Sequence, residues 1–156
     1  MSVAHHIGLE IAERSFRFVE MQQQDRQSTI LRADTLETTH DYASPLLFDL
    51  PFQPTLARDF IHDLATVFHR HAVYAHSLSL VLPSLLPLVT MLPVDGQLPR
   101  SLQRRQVEWE CATLGGHSHD TALTILTHDF ASTLQTMAVA LPSSCVDFLR
   151  ATCEHM

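Results

Sequence analysis

The chain has 156 residues, of which 46% are apolar, and a formal net charge of −7. A domain of this length buries about 70% of its unfolded surface, so no disulfide or metal ion is needed to explain a stable core. Every basic residue is arginine, which excludes a P-loop lysine and a Schiff-base lysine, and the acidic balance disfavours binding to a nucleic-acid backbone.

The first part of the chain predicts a three-stranded meander followed by a helix. Alternating apolar residues indicate a β-hairpin over residues 7–21 and a third strand over 29–38. Residues 41–53 contain two prolines and are predicted to form a loop. Pro54 suits the first position of a helix that runs to about residue 70. Its apolar stripe comprises Phe60, Ile61, Leu64, Val67 and Phe68.

The rest of the chain predicts two more pairs of strands and two more helices. The predicted ranges are 77–82 and 88–92 for two buried strands, 98–114 for a helix, 122–126 and 137–141 for two strands, and 143–154 for the last helix. Gly115 and Gly116 are expected to end the middle helix, and a polar link around His128 is expected to separate the last two strands. The predicted order is βββα followed by ββαββα.

This order resembles the N-terminal half of the actin-like ATPase family that includes PilM, a type IV pilus assembly protein, and FtsA. The resemblance is carried by Ile7-Gly8-Leu9-Glu10-Ile11-Ala12, Leu82-Pro83 and Met91-Leu92-Pro93. It implies an α/β fold with mixed sheets, in which an actin-like, ribonuclease H-like first lobe carries a small inserted β-β-α-β subdomain. Residues 1–72 and 130–156 would form part of the first lobe, and residues 73–129 would form the insertion.

The resemblance also implies a degenerate nucleotide site at Glu10 and Ala12. In ATP-binding members of this family, an Asp at the first position helps to hold the phosphate-bound metal, and a Gly at the second lets the backbone approach the phosphates. The longer Glu10 side chain would displace the metal and its water, and the methyl group of Ala12 would crowd that approach. The family's second phosphate hairpin belongs to a half that this sequence lacks. We therefore expect no cofactor and no autonomous ATPase activity.

Trp109 and Arg105, in the predicted helix 98–114, are the candidates for a protein-binding surface, because Trp and Arg dominate the hot spots of protein interfaces. The apolar side of that helix is nevertheless predicted to include Leu102, Trp109, Cys111 and Ala112, which favours a core position for the tryptophan. In the resembling proteins, a groove between the first lobe and the inserted subdomain takes up a short peptide of a membrane partner.

Two functional hypotheses follow from these features. The first is a non-catalytic adaptor that docks a partner of a pilus or secretion-type assembly complex, such as the cytoplasmic tail of an inner-membrane protein. Such an adaptor would be cytoplasmic and peripheral to the membrane through its partner, since the longest apolar stretch, residues 78–92, is too short to cross a bilayer. The alternative is a nucleotide-binding half-site that another chain or a homodimer completes, with Glu10 still holding magnesium.

The histidines and cysteines suggest weaker candidates for chemistry. The chain has 11 histidines, and the densest groups are His62, His69, His71 and His76, and the segment His117-Ser118-His119-Asp120. Neither group has the spacing of a known zinc motif, so we expect surface histidines and no metal site. Cys145 lies near a predicted helix N-terminus, where a thiolate would be stabilised, but a buried structural thiol is the favoured interpretation and no catalytic residue is predicted.

Overall fold

The structure, a computed structural model, describes residues 4–24, 27–71, 77–84, 86–117, 121–130 and 134–155. Its elements in chain order are β1 (Ala4–Ala12), β2 (Ser15–Gln24), β3 (Gln27–Glu37), α1 (Leu46–Asp49), α2 (Pro54–His71), β4 (Ser77–Val81), β5 (Leu88–Pro93), α3 (Arg100–Leu114), β6 (Leu123–Phe130), β7 (Gln135–Pro142) and α4 (Ser143–Glu154). The predicted fold class, α/β with mixed sheets, is confirmed, and so is the predicted order apart from the added α1.

The first sheet has the strand order β3-β2-β1-β4. β2 pairs antiparallel with both β1 and β3, whereas β4 pairs parallel with β1. The register sets Ile11 opposite Phe16 and Leu9 opposite Phe18, and these four side chains are buried. The alternation read from the sequence therefore defines the core-facing side of the hairpin.

Helix α2 supplies much of the core beside the first sheet. The ring of Phe60 packs edge-on against Phe16 and Tyr42, with centroids 5.6 and 4.9 Å away, and lies 6.0 Å from the ring of Phe148 in α4. Leu64 and Val67 are buried as predicted, but Ile61 is exposed. In the described ranges, no helix combines the length and apolar character that a membrane span requires.

The segment 41–53 contains more structure than the predicted loop. It includes the short helix α1, which follows Pro45, and Tyr42, Leu47 and Leu50 are buried. A proline fits at the start of a helix because no intrahelical partner is needed for an N–H there. Four helical residues are too few to produce a recognisable periodicity, so the sequence pattern did not predict α1.

The second sheet is antiparallel, with the order β5-β7-β6. One face is covered by α3, and the core between them comprises Leu92, Val107, Cys111, Ala138 and Ala140. The predicted polar link around His128 is wrong, because β6 continues through His128 to Phe130 and pairs with β7 along its whole length.

The prediction that β4 and β5 are buried strands is wrong except at Leu92, which belongs to the core of the second sheet. Both are edge strands of their sheets, and Val81, Val89 and Met91 are exposed. Their continuous apolar composition had suggested burial on both faces.

The chain divides into two compact units, one comprising Met1–Ser84 with Phe148–Met156 and the other Leu85–Asp147. The predicted division instead assigned residues 1–72 and 130–156 to the first lobe and residues 73–129 to the inserted subdomain. The difference follows from strand pairing, since β4 joins the first sheet through β1, whereas β7 is the central strand of the second sheet.

Candidate functional site

Glu10 lies on the solvent side of the first hairpin, between the buried Leu9 and Ile11. The register places it opposite Arg17 on β2, and Nη1 of that arginine donates to Oε2 of Glu10 at 3.5 Å. The side chains of Arg17 and Glu10 are 59% and 44% exposed, so the pair contributes little to stability. The positive charge of Arg17 nevertheless offsets the negative charge with which Glu10 would have to attract a metal ion.

Ala12 is the last residue of β1 and is buried. Beyond it, the turn is closed by Arg14, which adopts the left-handed backbone conformation with φ of 45°. An open depression of about 450 Å³ lies beside this turn and is lined by Glu13, Arg14 and Glu37, among others. Two carboxylates and one guanidinium surround the space, which is unfavourable for a polyphosphate.

The candidate protein-binding residues lie on helix α3, in the second unit. The predicted core position of Trp109 is wrong, since the residue is 59% exposed, whereas Cys111 is fully buried. Two residues correspond to about 200° of helical rotation, so these two side chains lie on nearly opposite sides of α3. Leu102, seven residues before Trp109, is exposed on the same side.

Trp109 and Arg105 line one depression together. It has a volume of about 450 Å³ and is bounded on its other side by residues 121–123, where β6 begins. A second depression of about 370 Å³ lies between α3 and the remainder of β6, lined by Arg100, Arg104, Ile125, Thr127 and Asp129, among others. Glu108 lines both. We refer to the two together as the α3–β6 groove.

A buried polar cluster that the sequence did not suggest lies in the first unit. Asp63 on α2 accepts hydrogen bonds from the backbone N–H of Thr39 at 2.7 Å, the hydroxyl of Thr39 at 2.9 Å and the hydroxyl of Tyr42 at 3.2 Å. Burial, followed by the charge of Asp63, raises the pKa of Tyr42 above its ordinary value of 10. Because each donor belongs to the segment after β3, the cluster fixes that segment to α2. Asp63 is three positions from Phe60 and four from Val67, so helical spacing could have placed it on the core side.

The cysteine candidate is a buried thiol. Cys145 is fully buried in the first turn of α4, and burial raises the pKa of its thiol to about 11. Burial also raises the pKa of Cys111 and Cys153. At neutral pH these groups are thiols rather than nucleophilic thiolates.

Among the described residues, no three His, Cys, Asp or Glu side chains are placed to hold a metal ion. The ring of His69 is engaged by the backbone, with Nδ1 2.8 Å from the carbonyl oxygen of Ala65. His76, His119 and Asp120 lie outside the described residues. No ligand set therefore emerges from the histidines that the structure describes.

No protein-family model and no curated protein matches this chain. Among solved structures, it is similar to the cytoplasmic domain of EpsL, an inner membrane component of the type II secretion system of Vibrio cholerae. The TM-score is 0.51 at 11% identity, over 97% of this chain and 53% of that chain. At this identity the similarity concerns the fold alone.

Two other matched structures have lower TM-scores. A Bacteroides thetaiotaomicron protein with an actin-like ATPase fold and unknown function matches with a TM-score of 0.48 at 13% identity, over 95% of this chain and 48% of that chain. The Aquifex aeolicus member of the Ppx/GppA family matches with a TM-score of 0.35 at 12% identity, over 52% of this chain and 26% of that chain. The chain thus spans about half or less of the length of these three structures.

Proposed function

We propose that this chain is a non-catalytic adaptor that binds a protein of a pilus or secretion-type assembly complex. The observation that carries the proposal is the exposure of Trp109 beside Arg105 in the α3–β6 groove. A large aromatic side chain exposes apolar area that a partner can cover, and an adjacent arginine can satisfy a carboxylate at the same contact. These two residue types are the most frequent hot spots of protein interfaces.

The first hairpin supports the non-catalytic part of the proposal. A phosphate-bound magnesium ion needs carboxylate or water ligands that are free to coordinate it, but Glu10 is paired with Arg17. The depression at the adjacent turn is lined by more negative than positive charge. Nucleotide binding would require Glu10 to exchange its arginine for a metal ion in this acidic setting.

The class of partner rests on the fold that the chain shares with the cytoplasmic domain of EpsL, which belongs to an inner membrane component of a secretion system. By analogy, the partner would be the cytoplasmic tail of an inner-membrane assembly protein, as in a PilM-type arrangement. The chain would then act on the cytoplasmic side and be held at the membrane by that partner. Its mechanism would be binding alone.

The test is calorimetric titration of the purified protein with synthetic peptides that correspond to the cytoplasmic tails of membrane proteins encoded beside its gene. We expect one tail to bind and Trp109→Ala to weaken it by at least about 30-fold, which corresponds to the loss of about 2 kcal/mol at a hot spot. Phe52→Ala is the matched control, because Phe52 is an aromatic residue that is 71% exposed in the other unit. The affinity of the Phe52→Ala variant for the tail should stay within about twofold of that of the parent protein.

Two outcomes would overturn the adaptor proposal. The first is that no tail binds, or that a tail binds the Trp109→Ala protein as tightly as the parent protein. The second is micromolar binding of Mg-ATP that Glu10→Ala abolishes and Glu13→Ala preserves. That second result would favour the half-site that another chain completes.

A further inference from the structure

Strand β6 forms one edge of the second sheet, and its hydrogen-bonding pattern shows which backbone groups point outward. The backbone N–H of Ser143 donates to the carbonyl of Ala122 at 2.9 Å, so these two residues form a hydrogen-bonded pair at the start of the β6–β7 ladder. Such pairs alternate with non-hydrogen-bonded pairs along an antiparallel ladder. Pro142, which has no N–H, therefore sits opposite Leu123 in a pair that needs no hydrogen bond.

This alternation turns the backbone groups of every second β6 residue away from β7. The outward-facing residues are Leu123, Ile125, Thr127 and Asp129. Within the described part of the chain, their backbone N–H and C=O groups have no hydrogen-bond partner. An edge strand with unpaired backbone groups is a template for another strand.

The side chains of these outward-facing residues line the α3–β6 groove. Leu123 lies at the end that contains Trp109 and Arg105, and Asp129 lies at the end that contains Arg100 and Arg104. The groove therefore runs along the free edge of β6 with α3 as its opposite wall. A peptide that adds to β6 would direct alternate side chains toward α3.

The charge of the groove differs in sign from that of the chain. Three arginines and two carboxylates, Glu108 and Asp129, line it, whereas the whole chain has a net charge of −7. Nε of Arg104 is paired with Glu108 at 3.0 Å. Arg100 and Arg105 have no ion-pair partner among the residues that the structure describes. A carboxylate on the bound segment would supply the missing counter-charge.

We propose that β6 accepts an extended segment of the partner as a fourth strand, and that this segment carries a large apolar residue and an acidic residue two positions apart. The apolar side chain would pack on Trp109, and the acidic one would pair with Arg105, which lines the same depression. The spacing follows from geometry, because Arg105 and Trp109 are about one turn apart on the same side of α3, and this four-residue step rises about 6 Å, which equals about two residues of a strand. This inference rests on the proposed adaptor function and names the form of its partner.

A second copy of this chain fits the groove less well than such a segment. Edge-to-edge pairing of two β6 strands about a two-fold axis perpendicular to the sheet would place both α3 helices on the same face. Arg100 and Arg105 of one copy would then approach the same residues of the other, which is electrostatically unfavourable.

The inference can be tested with a phage-displayed library of random peptides of about twelve residues, selected on the intact protein. We expect the enriched sequences to share an acidic and a large apolar residue two positions apart. The consensus peptide is then titrated against Thr127→Pro, which removes one outward-facing N–H and leaves the β7 ladder intact, and against Thr127→Val, which retains that N–H. We expect the proline variant to weaken binding at least about tenfold and the valine variant less than threefold.

Two further measurements do not depend on the folding of the proline variant. In the peptide-bound parent protein, amide exchange at Leu123, Ile125, Thr127 and Asp129 should slow by at least about tenfold, because these N–H groups become hydrogen-bonded. Arg105→Glu should weaken binding of the consensus peptide, and a peptide whose acidic residue is replaced by lysine should recover binding to that variant.

The possible failures distinguish this inference from the proposed function. If the membrane-protein tails bind through Trp109 but Thr127→Pro and amide exchange show no effect, strand addition is overturned and the adaptor function stands. If neither the tails nor the library peptides bind, both the adaptor function and strand addition are overturned. If sedimentation shows a dimer that Thr127→Pro converts to a monomer, β6 pairs with a second copy and the proposed occupant is wrong.

Discussion

The hydroxyl of Tyr42 donates to Oδ2 of Asp63 at 3.2 Å, in a position where the tyrosine has no solvent exposure. The same carboxylate accepts two further hydrogen bonds from Thr39. Its charge is thus compensated by three donors rather than by a cation, and the donors all belong to one segment of the chain. This arrangement is structural, because its polar atoms are already engaged with one another.

Substitution of Asp63 should be among the most destabilising changes outside the apolar core. Asp63→Ala leaves the hydroxyls of Tyr42 and Thr39 and one backbone N–H without their acceptor, so we expect a loss of about 3 kcal/mol in the free energy of unfolding. Asp59→Ala is the control, because that carboxylate is partly exposed and contacts His40. Urea denaturation followed by circular dichroism measures both. Equal effects of the two substitutions would contradict the structural role of Asp63.

The raised pKa of Tyr42 predicts a loss of stability in alkali. The folded protein retains the phenolic proton above the ordinary pKa of 10, so unfolding is accompanied by proton release in that range. The stabilisation is complete below about pH 10 and should then fall by up to about 1.4 kcal/mol for each further pH unit. Tyr42→Phe, which lacks this proton, should become progressively more stable relative to the parent protein as urea unfolding is repeated from pH 9 to 11. A stability difference that does not change with pH would contradict the prediction.

The thiol of Cys145 should react slowly in the native protein. With a pKa of about 11, its thiolate fraction at pH 8 is about 100-fold lower than that of a thiol with a pKa of 9, and burial blocks access as well. Iodoacetamide labelling at pH 8, resolved by peptide mass spectrometry, should modify Cys145 at least about 100-fold faster in 8 M urea than in buffer. Similar rates in the two conditions would instead indicate an accessible thiolate activated by the helix N-terminus.

The glycine that ends α3 should resist substitution. Gly116 has φ of 66°, and the backbone N–H of His117 donates to the carbonyl of Ala112 at 3.0 Å to close the helix end. Gly116→Ala should cost about 1 kcal/mol, because a residue with a Cβ is strained in that conformation. Gly8→Ala is the comparison, since no atom beyond the glycine and its two chain neighbours lies within 4 Å of the added Cβ. Thermal unfolding should show a lower midpoint for Gly116→Ala alone.

Features that depend on a local sequence pattern were predicted, whereas features that depend on packing or on strand register were not. The core-facing residues of β1 and β2 were predicted because alternation alone determines the buried face of a hairpin. For α3, the prediction of an apolar side was right for Cys111 and Ala112 but wrong for Leu102 and Trp109. These two residues are apolar and seven residues apart, which matches the spacing of a core stripe. Only the packing of Cys111 and Val107 against the sheet shows that this stripe faces solvent.

The candidate sites show the same division. The position of Glu10 on the solvent side follows from the alternation of β1, but its pairing with Arg17 depends on the register of the hairpin. The groove beside β6 could not be predicted, since the sequence around His128 is polar and was interpreted as a link between strands. Polar side chains on an exposed edge strand produce the same pattern as a loop.

The contact between the rings of Phe60 and Phe148 has a consequence for the order of folding. The first unit is assembled from two stretches of chain, whereas the second is continuous from Leu85 to Asp147. During synthesis, the continuous unit has all of its residues available before Phe148 leaves the ribosome. The first unit also requires residues that follow the second unit in the chain, and it must close a long loop to acquire them. We therefore expect the second unit to form its native contacts first, while the final contacts of the first unit limit the rate of folding.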